Sequence, residues 1–418
     1  MFELRPPGSF PLCVDPGFQG DAARDLEHVS RLVREATRSF PVMGLILTGS
    51  VARGEGTLIA DQKTGTRWLG DLECLLITPG GRRTSTRQID DTLHAVETEL
   101  NNDFRERRRG LKIGVTRMVA SRLALLRRSI FNREFLEHGK LLWGTPSALP
   151  MPSWWTAGTH EVPLSDALRL LNNRTIQQIT ARMTQETGSA QPLSAEYAIS
   201  KYWIELATSL SVFLGCYRTT YRERQTAIES LLVSRPEIFG SEFSKLLVAR
   251  LREAMAVKFG QTPQVLGSAC QGFDEVARAA SRVWYWETAR MLGADSDDSD
   301  WRSVISRLRR LETTSQRARD WMRLLVRNRA LRRPTSYAIR TVKAALRAGS
   351  LGNAIYASGC LLEFFWDEIG RENGPGPQIA ETLGALFDVQ ADSGKVLRSM
   401  LAQSTQTAWD RHLRFSAA

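Results

Sequence analysis

Short apolar runs alternate with amphipathic stretches over the first third of the chain, and beyond about residue 150 the short runs almost vanish. Val42–Thr48 is a brief apolar run that reads as a buried strand, and Gly49-Ser50 then turns the chain into Val51-Ala52-Arg53-Gly54. Leu69–Ile77 reads as a second strand, Leu111–Met118 as a third and Lys140–Trp143 as a closing one. Between the second and third, Ile89, Leu93, Val96, Leu100 and Phe104 recur at helical spacing, which predicts one amphipathic helix. Helices are also expected over Ala22–Ser39, Ser121–Arg128 and Ile130–Gly139. Thr57–Trp68, with Asp61–Gly65 as its turn, reads as an inserted hairpin or loop.

Pro146, Pro150 and Pro152 mark a linker, and the chain beyond it is helical in pattern. Asp166–Met183 is amphipathic and started by Ser165, with Gly188 and Pro192 ending it. Ala195–Tyr217 is apolar on all sides in its second half, which predicts a place at the centre of a bundle. Further helices are expected at Leu231–Phe259, Phe273–Leu292, Trp301–Asn328, Ser336–Ala348, Ile355–Ile369, Ala380–Phe387 and Val396–Leu413. The polar stretch Ala294–Asp300 suggests a further boundary, which divides the chain into residues 1–150, 151–293 and 294–418. The expected class is α+β, a small N-terminal sheet with flanking helices and then a large all-α region.

The chemistry suggested by this pattern centres on Asp71 and Glu73. A strand has period two, so both carboxylates project from one side while Leu72, Cys74 and Leu76 point the other way. Two acids held that close repel unless a hard cation sits between them, and Mg²⁺ takes one or two carboxylates plus substrate phosphates. At the other strand end, Gly49 lets the backbone approach a ligand, Ser50 offers a hydroxyl and Arg53 a charged donor for phosphate.

Gly49-Ser50, a gap, then Asp71-x-Glu73 in an apolar strand resembles the signature of the nucleotidyltransferase superfamily, over about the first third of the chain. That superfamily includes DNA polymerase beta, poly(A) polymerases and aminoglycoside nucleotidyltransferases. The resemblance implies a mixed sheet flanked by helices, a nucleoside triphosphate bound with Mg²⁺ or Mn²⁺ at Asp71 and Glu73, and transfer of a nucleoside monophosphate to an acceptor hydroxyl. The acceptor is left open among a small molecule, RNA and protein. Two departures stand out. The gap between Ser50 and Asp71 is longer than usual, and a third carboxylate, which many members carry on a later strand, is missing from Leu111–Met118, where Lys112 and Gly114 stand instead.

Some aminoglycoside-modifying relatives draw their base from a helix of the second domain, and Glu205 is the candidate for that role here. Lys201 lies one turn before it and is a candidate phosphate ligand, with Asn173, Arg174 and Tyr202 as further candidates for a cleft wall. The other reading is that Lys201 and Glu205 form a helix-supporting i,i+4 pair. The missing third acid also leaves room for a different class of function: a degenerate protein that keeps the fold and nucleotide binding but acts as a regulatory scaffold.

Composition narrows the remaining classes. With 42% apolar residues over 418 positions, the chain is long enough for two or three domains with real cores. Its five cysteines, Cys13, Cys74, Cys216, Cys270 and Cys360, show no disulfide or zinc spacing, and the five histidines form no ligand motif. Met1–Pro7 lacks the basic end and apolar core of a signal peptide, and no run is apolar enough to span a bilayer, so a cytoplasmic protein without membrane contact is expected. Net charge is +11, concentrated over Arg302–Arg347, a segment that either meets a polyanion such as nucleic acid or forms the solvated face of a packed bundle. The smaller basic run at Arg105, Arg107, Arg108, Arg109 and Lys112 either suits a helix C-terminus or guides a triphosphate.

Overall fold

The computed structural model describes residues 3–61, 65–80, 83–107, 110–145, 149–158, 160–188, 192–261, 269–293, 300–320, 322, 348–369, 376–387 and 394–413. Residues 1–166, 216–244 and 252–263 make one compact unit, and residues 167–215, 245–251 and 264–418 another. The grouping into two units, with 216–244 and 252–263 counted in the first, differs from the three consecutive spans expected from composition.

In the first unit, α1 (Gln19–Thr37) buries Ala22, Leu26, Val29 and Val33 along one face. It precedes β1 (Gly44–Thr48), whose five residues are all buried, and the single-turn α2 (Gly49–Ala52) comes directly after. The expected insertion is a hairpin, β2 (Leu58–Asp61) against β3 (Gly65–Trp68). β4 (Asp71–Thr78) pairs antiparallel with β1, and α3 (Arg83–Glu106) carries the chain over to β5 (Lys112–Val119), parallel to β4. Then come α4 (Ala120–Leu123), α5 (Ile130–His138), β6 (Lys140–Gly144) and the short α6 (Ser153–Thr156). α4 is a single turn and not the helix through Arg128 expected from Ser121. The four-stranded mixed sheet has the order β5-β4-β1-β6.

Alternation along the strands gives this sheet two buried faces. Leu45, Leu47, Leu72, Cys74, Leu76, Ile113 and Val115 share a core with Leu26, Val29 and Val33 of α1 and Leu93, Leu100 and Phe104 of α3. Ile46, Leu75 and Ile77 share the opposite core with Leu123 of α4 and Phe135 and Leu136 of α5. Burying each such side chain stabilises by roughly 1.5–3 kcal/mol, which selects one register, since a slip of one residue would exchange the faces.

The rest of the chain is helical. α7 (Leu164–Glu186) carries Leu168, Leu171 and Ile176 into the core of the second unit, and α8 (Pro192–Phe213) is buried on nearly all sides over Leu206, Ser209, Leu210, Ser211 and Phe213, as its apolar second half predicts. The run expected as one helix over Leu231–Phe259, most of which counts with the first unit, is two helices, α9 (Tyr221–Ser234) and α10 (Ser241–Lys258). Pro236 lacks an N–H and Gly240 takes φ +83°, so the chain cannot stay helical between them although its apolar pattern continues. α11 (Ala269–Leu292) packs along α8, with Gly272 closely facing Ile199. α12 (Trp301–Leu311) breaks at an extended Glu312 and residues 314–320 are helical again, while the expected span beyond them to Asn328 lies, apart from residue 322, outside the described residues. α13 (Leu351–Phe364), α14 (Gly376–Phe387) and α15 (Gly394–His412) follow. Trp284 Nε1 donates to Asn172 Oδ1 at 2.9 Å and Tyr202 bonds Thr175 at 2.8 Å, so these polar groups within the second core are tied in pairs.

Of the basic segment Arg302–Arg347, residues 321 and 323–347 lie outside the described residues, as does the expected Ser336–Ala348 helix apart from its last residue and nearly all of the polar break Ala294–Asp300. Among its described arginines, Arg307 is buried and donates to the Tyr285 carbonyl at 2.8 Å, while Arg302 donates to Gln378 at 2.7 Å. No helix among the described residues is long and apolar enough to cross a membrane.

Candidate active site

β4 begins with exposed Asp71 and Glu73 on one side and buried Leu72 and Cys74 on the other. The antiparallel register sets Thr48, the last residue of β1, opposite Glu73, and the Thr48 hydroxyl donates to the Glu73 carbonyl at 3.2 Å. Gly49 comes next at φ +70°, and a Cβ built there would stand 3.0 Å from Glu73 Oε2. Glycine is therefore favoured here by the left-handed backbone, and any Cβ would press the Glu73 carboxylate aside. Ser50 is half-buried in the turn, with its carbonyl accepting from Glu55 N at 2.8 Å. Gly49-Ser50 and the two acids meet at one end of the sheet.

The parallel register of β4 and β5 sets Lys112 beside Asp71 and Gly114 beside Glu73. Lys112 and Gly114 thus occupy the neighbouring-strand positions, and neither is an acid. Among the described residues no three His, Cys, Asp or Glu side chains are grouped to hold a metal by themselves. Two carboxylates at i and i+2 on a solvent-facing strand end suit a hard cation that fills the rest of its shell with phosphate oxygens and water, which is how Mg²⁺ is usually held.

Arg53 is placed differently from the phosphate donor expected of it. Its side chain is only 3% exposed, Nε donates to Glu55 Oε2 at 3.0 Å and Nη1 pairs with Glu134 of α5. Glu134 also accepts from Arg224 Nη2 at 2.6 Å and from the Tyr217 hydroxyl at 2.8 Å. Burial pushes the Glu134 carboxyl up, but Arg53, Arg224 and the Tyr217 hydroxyl outweigh it and hold the carboxyl below its ordinary value. Glu55 Oε1 takes the backbone N–H groups of Tyr221 and Arg222 at 2.7 and 3.2 Å, at the start of α9. The Tyr221 ring lies 4.7 Å from the Arg53 guanidinium, 5.3 Å from that of Arg224 and 5.7 Å from Lys258 Nζ. Arg53 is thereby the hinge of a buried network that fixes the segment after Gly49-Ser50.

Lys201 and Glu205 belong to the helical unit. Glu205 is ion-paired with Arg174 of α7, and Lys201 is half-buried one turn earlier on α8. Asn173 accepts from the Tyr356 hydroxyl at 3.0 Å and Trp409 Nε1 at 2.9 Å, and Tyr202 is fully buried, so these two are packing residues of that unit. Cys13, Cys74, Cys216 and Cys360 are free thiols.

Sequence reasoning passed over Glu55, Glu134, Tyr217, Tyr221, Arg224 and Lys258. Glu55 was within reach, two residues beyond Arg53; the others come from segments whose pairing no local spacing reports. No protein-family model matches the chain, and comparison with curated proteins gives no match.

Proposed function

We propose that the protein is a Mg²⁺- or Mn²⁺-dependent nucleotidyltransferase that moves a nucleoside monophosphate from a nucleoside triphosphate to an acceptor hydroxyl. One observation carries this reading: the β1–β4 register sets the Gly49-Ser50 turn against Glu73, with Asp71 on the same exposed side. A glycine-serine turn that admits phosphate and a pair of hard oxygen donors are the two halves of a metal–triphosphate site. The bound cation would be held by Asp71 and Glu73 and would neutralise charge on the phosphates and on the departing pyrophosphate. Gly49 leaves room for the phosphates beside Glu73, and Ser50 offers its hydroxyl to them. The acceptor oxygen forms the new bond to the α-phosphorus as the bond to pyrophosphate breaks, and its proton passes to solvent water.

A second reading is favoured by one specific feature, the presence of Lys112 and Gly114 beside Asp71 and Glu73 where a third acid would stand. On that reading the protein binds nucleotide and serves as a regulatory scaffold. The two separate on incubation of the protein with each α-labelled nucleoside triphosphate, Mg²⁺ or Mn²⁺, and RNA, aminoglycosides or the protein itself as acceptor. Transfer that disappears in Asp71→Ala supports the enzyme; transfer that survives this substitution sinks the assigned site; triphosphate binding without transfer to any acceptor favours the scaffold.

A further inference from the structure

We propose that Lys112, beside Asp71 on the adjoining strand, is a phosphate-binding cation of the Asp71/Glu73 site and holds the polyphosphate of the triphosphate. This rests on the metal–triphosphate reading of that site and applies equally to a transferase and to a nucleotide-binding scaffold. β4 and β5 run parallel, with Asp71 paired to Lys112, Leu72 to Ile113, Glu73 to Gly114 and Cys74 to Val115. Paired residues of neighbouring strands point to the same face, and the strands lie about 4.8 Å apart. Leu72, Cys74, Ile113 and Val115 enter the core shared with α1 and α3, so Asp71, Glu73 and Lys112 project together from the other face. All three are exposed.

The start of β5 is held from two sides. The Asn101 side-chain amide of α3 clamps its outer edge at Ile113, accepting from the N–H at 2.9 Å and donating to the carbonyl at 3.0 Å. Gly110 takes φ +66° and lies so close to the hairpin that a Cβ there would stand 2.9 Å from the Trp68 carbonyl oxygen. The insertion between Ser50 and Asp71 therefore also steadies the strand end that carries Lys112. Beside Glu73 the floor is open, since a Cβ on Gly114 would meet no described heavy atom within 4 Å. Two other cations of the basic run are engaged at the end of α3, Arg105 with Asn102 at 2.8 Å and Arg107 with Asp103 at 2.7 Å. An ammonium beside two metal-binding carboxylates repels a bare divalent cation. It attracts a cation that carries an anion, because a polyphosphate on the metal spans to the neighbouring strand and lysine binds phosphate as a compact point charge. The strand pair thus favours the metal–polyphosphate complex over the metal alone.

The test is equilibrium binding to the full chain of Mn²⁺ alone, followed by the paramagnetic signal of the free ion, and of Mg²⁺–tripolyphosphate, followed by calorimetry. Wild type is compared with Lys112→Met, Lys112→Arg and Asp71→Asn. Lys112→Met is expected to take Mn²⁺ alone roughly threefold more tightly and tripolyphosphate about tenfold more weakly. Lys112→Arg should stay near wild type for both ligands, and Asp71→Asn should lose both. A lysine that serves only as a cross-strand counterion of Asp71 would leave tripolyphosphate binding unchanged or tighter. A thermal unfolding scan checks folding, with Lys112→Gln as the second variant. If neither is folded, the ¹³Cε resonance of Lys112 in labelled wild type, identified by its absence from Lys112→Arg, is expected to shift with Mg²⁺–tripolyphosphate and not with a nucleoside. Tripolyphosphate bound equally by a folded Lys112→Met, both ligands weakened together in it, or an unmoved resonance at saturation overturns the lysine's role and leaves the site reading intact. A wild type that binds neither ligand, or an Asp71→Asn variant that binds both as wild type does, overturns the site reading as well.

Discussion

Glu134→Gln removes one negative charge from the middle of the network behind Gly49-Ser50 while keeping the side chain's shape. Its two arginine partners have side chains only 3% and 4% exposed, so water cannot take over from the lost carboxylate. Breaking a buried ion pair by deleting one partner costs about 3–5 kcal/mol, because the other charge is left uncompensated. Glu55 still meets Arg53, whereas Arg224 loses its 2.6 Å contact with the Glu134 carboxylate. The expected loss is therefore about 3 kcal/mol, the low end of that range. Tyr217→Phe, which deletes one neutral donor to the same carboxylate, is expected to cost about 1 kcal/mol. Hydrogen exchange on peptides from β1 and from α9 reads the effect locally, without requiring whole-chain two-state unfolding. At about 1.4 kcal/mol per factor of ten, exchange of the most protected amides in both should accelerate roughly a hundredfold together. Adding Arg224→Met to Glu134→Gln should recover part of the loss, since the uncompensated cation is then gone. A change below about 1 kcal/mol, or acceleration in β1 alone, would refute the claim that this network binds the returning segment into the N-terminal unit.

Single positions give further outcomes. Gly49→Ala puts a Cβ at a φ of +70° and 3.0 Å from Glu73 Oε2; it is expected to cost roughly 1–2 kcal/mol in urea denaturation and to weaken Mg²⁺-dependent triphosphate binding by displacing the carboxylate. Glu363 in the helical unit is 1% exposed, neither of its carboxylate oxygens has a hydrogen-bond partner among the described residues, and burial pushes its pKa up to about 8 against the opposing pull of Arg182. The folded state thus holds this proton more tightly than the unfolded chain, so its contribution is fully present below the ordinary carboxylate range and is lost as pH rises toward about 8. Between about pH 5 and 8 the stability of wild type should fall relative to Glu363→Gln by on the order of 1 kcal/mol per pH unit, and parallel pH profiles of the two proteins would contradict this.

Much of the N-terminal architecture was legible because it is written in local pattern. The β1 and β4 strands, the hairpin insertion and α3 arise from apolar runs, a turn and a helical repeat, each confined to a few residues around Val42, Leu69, Asp61 and Ile89. The two-sided alternation at Asp71, Leu72, Glu73 and Cys74 carried over unchanged, as did the position of Lys112 and Gly114 on the adjoining strand. What local pattern could not report was long-range charge pairing. Arg53 looks like a free phosphate donor in the sequence, yet its partner Glu134 lies 81 residues away and Arg224 reaches that same carboxylate from 90 residues away. The break between α9 and α10 was masked for a related reason: the apolar repeat continues across Pro236 and Gly240, and backbone chemistry overrides it.

Calorimetric titration of the protein with nucleoside triphosphate, in Mg²⁺ and in chelator, tests the metal–triphosphate assignment most directly when wild type is set beside the isosteric double variant Asp71→Asn/Glu73→Gln. Wild type is expected to bind saturably and to require Mg²⁺, and the folded variant is expected to lose the metal-dependent part. Binding that is indifferent to Mg²⁺, or equally tight in the double variant, would contradict the assignment.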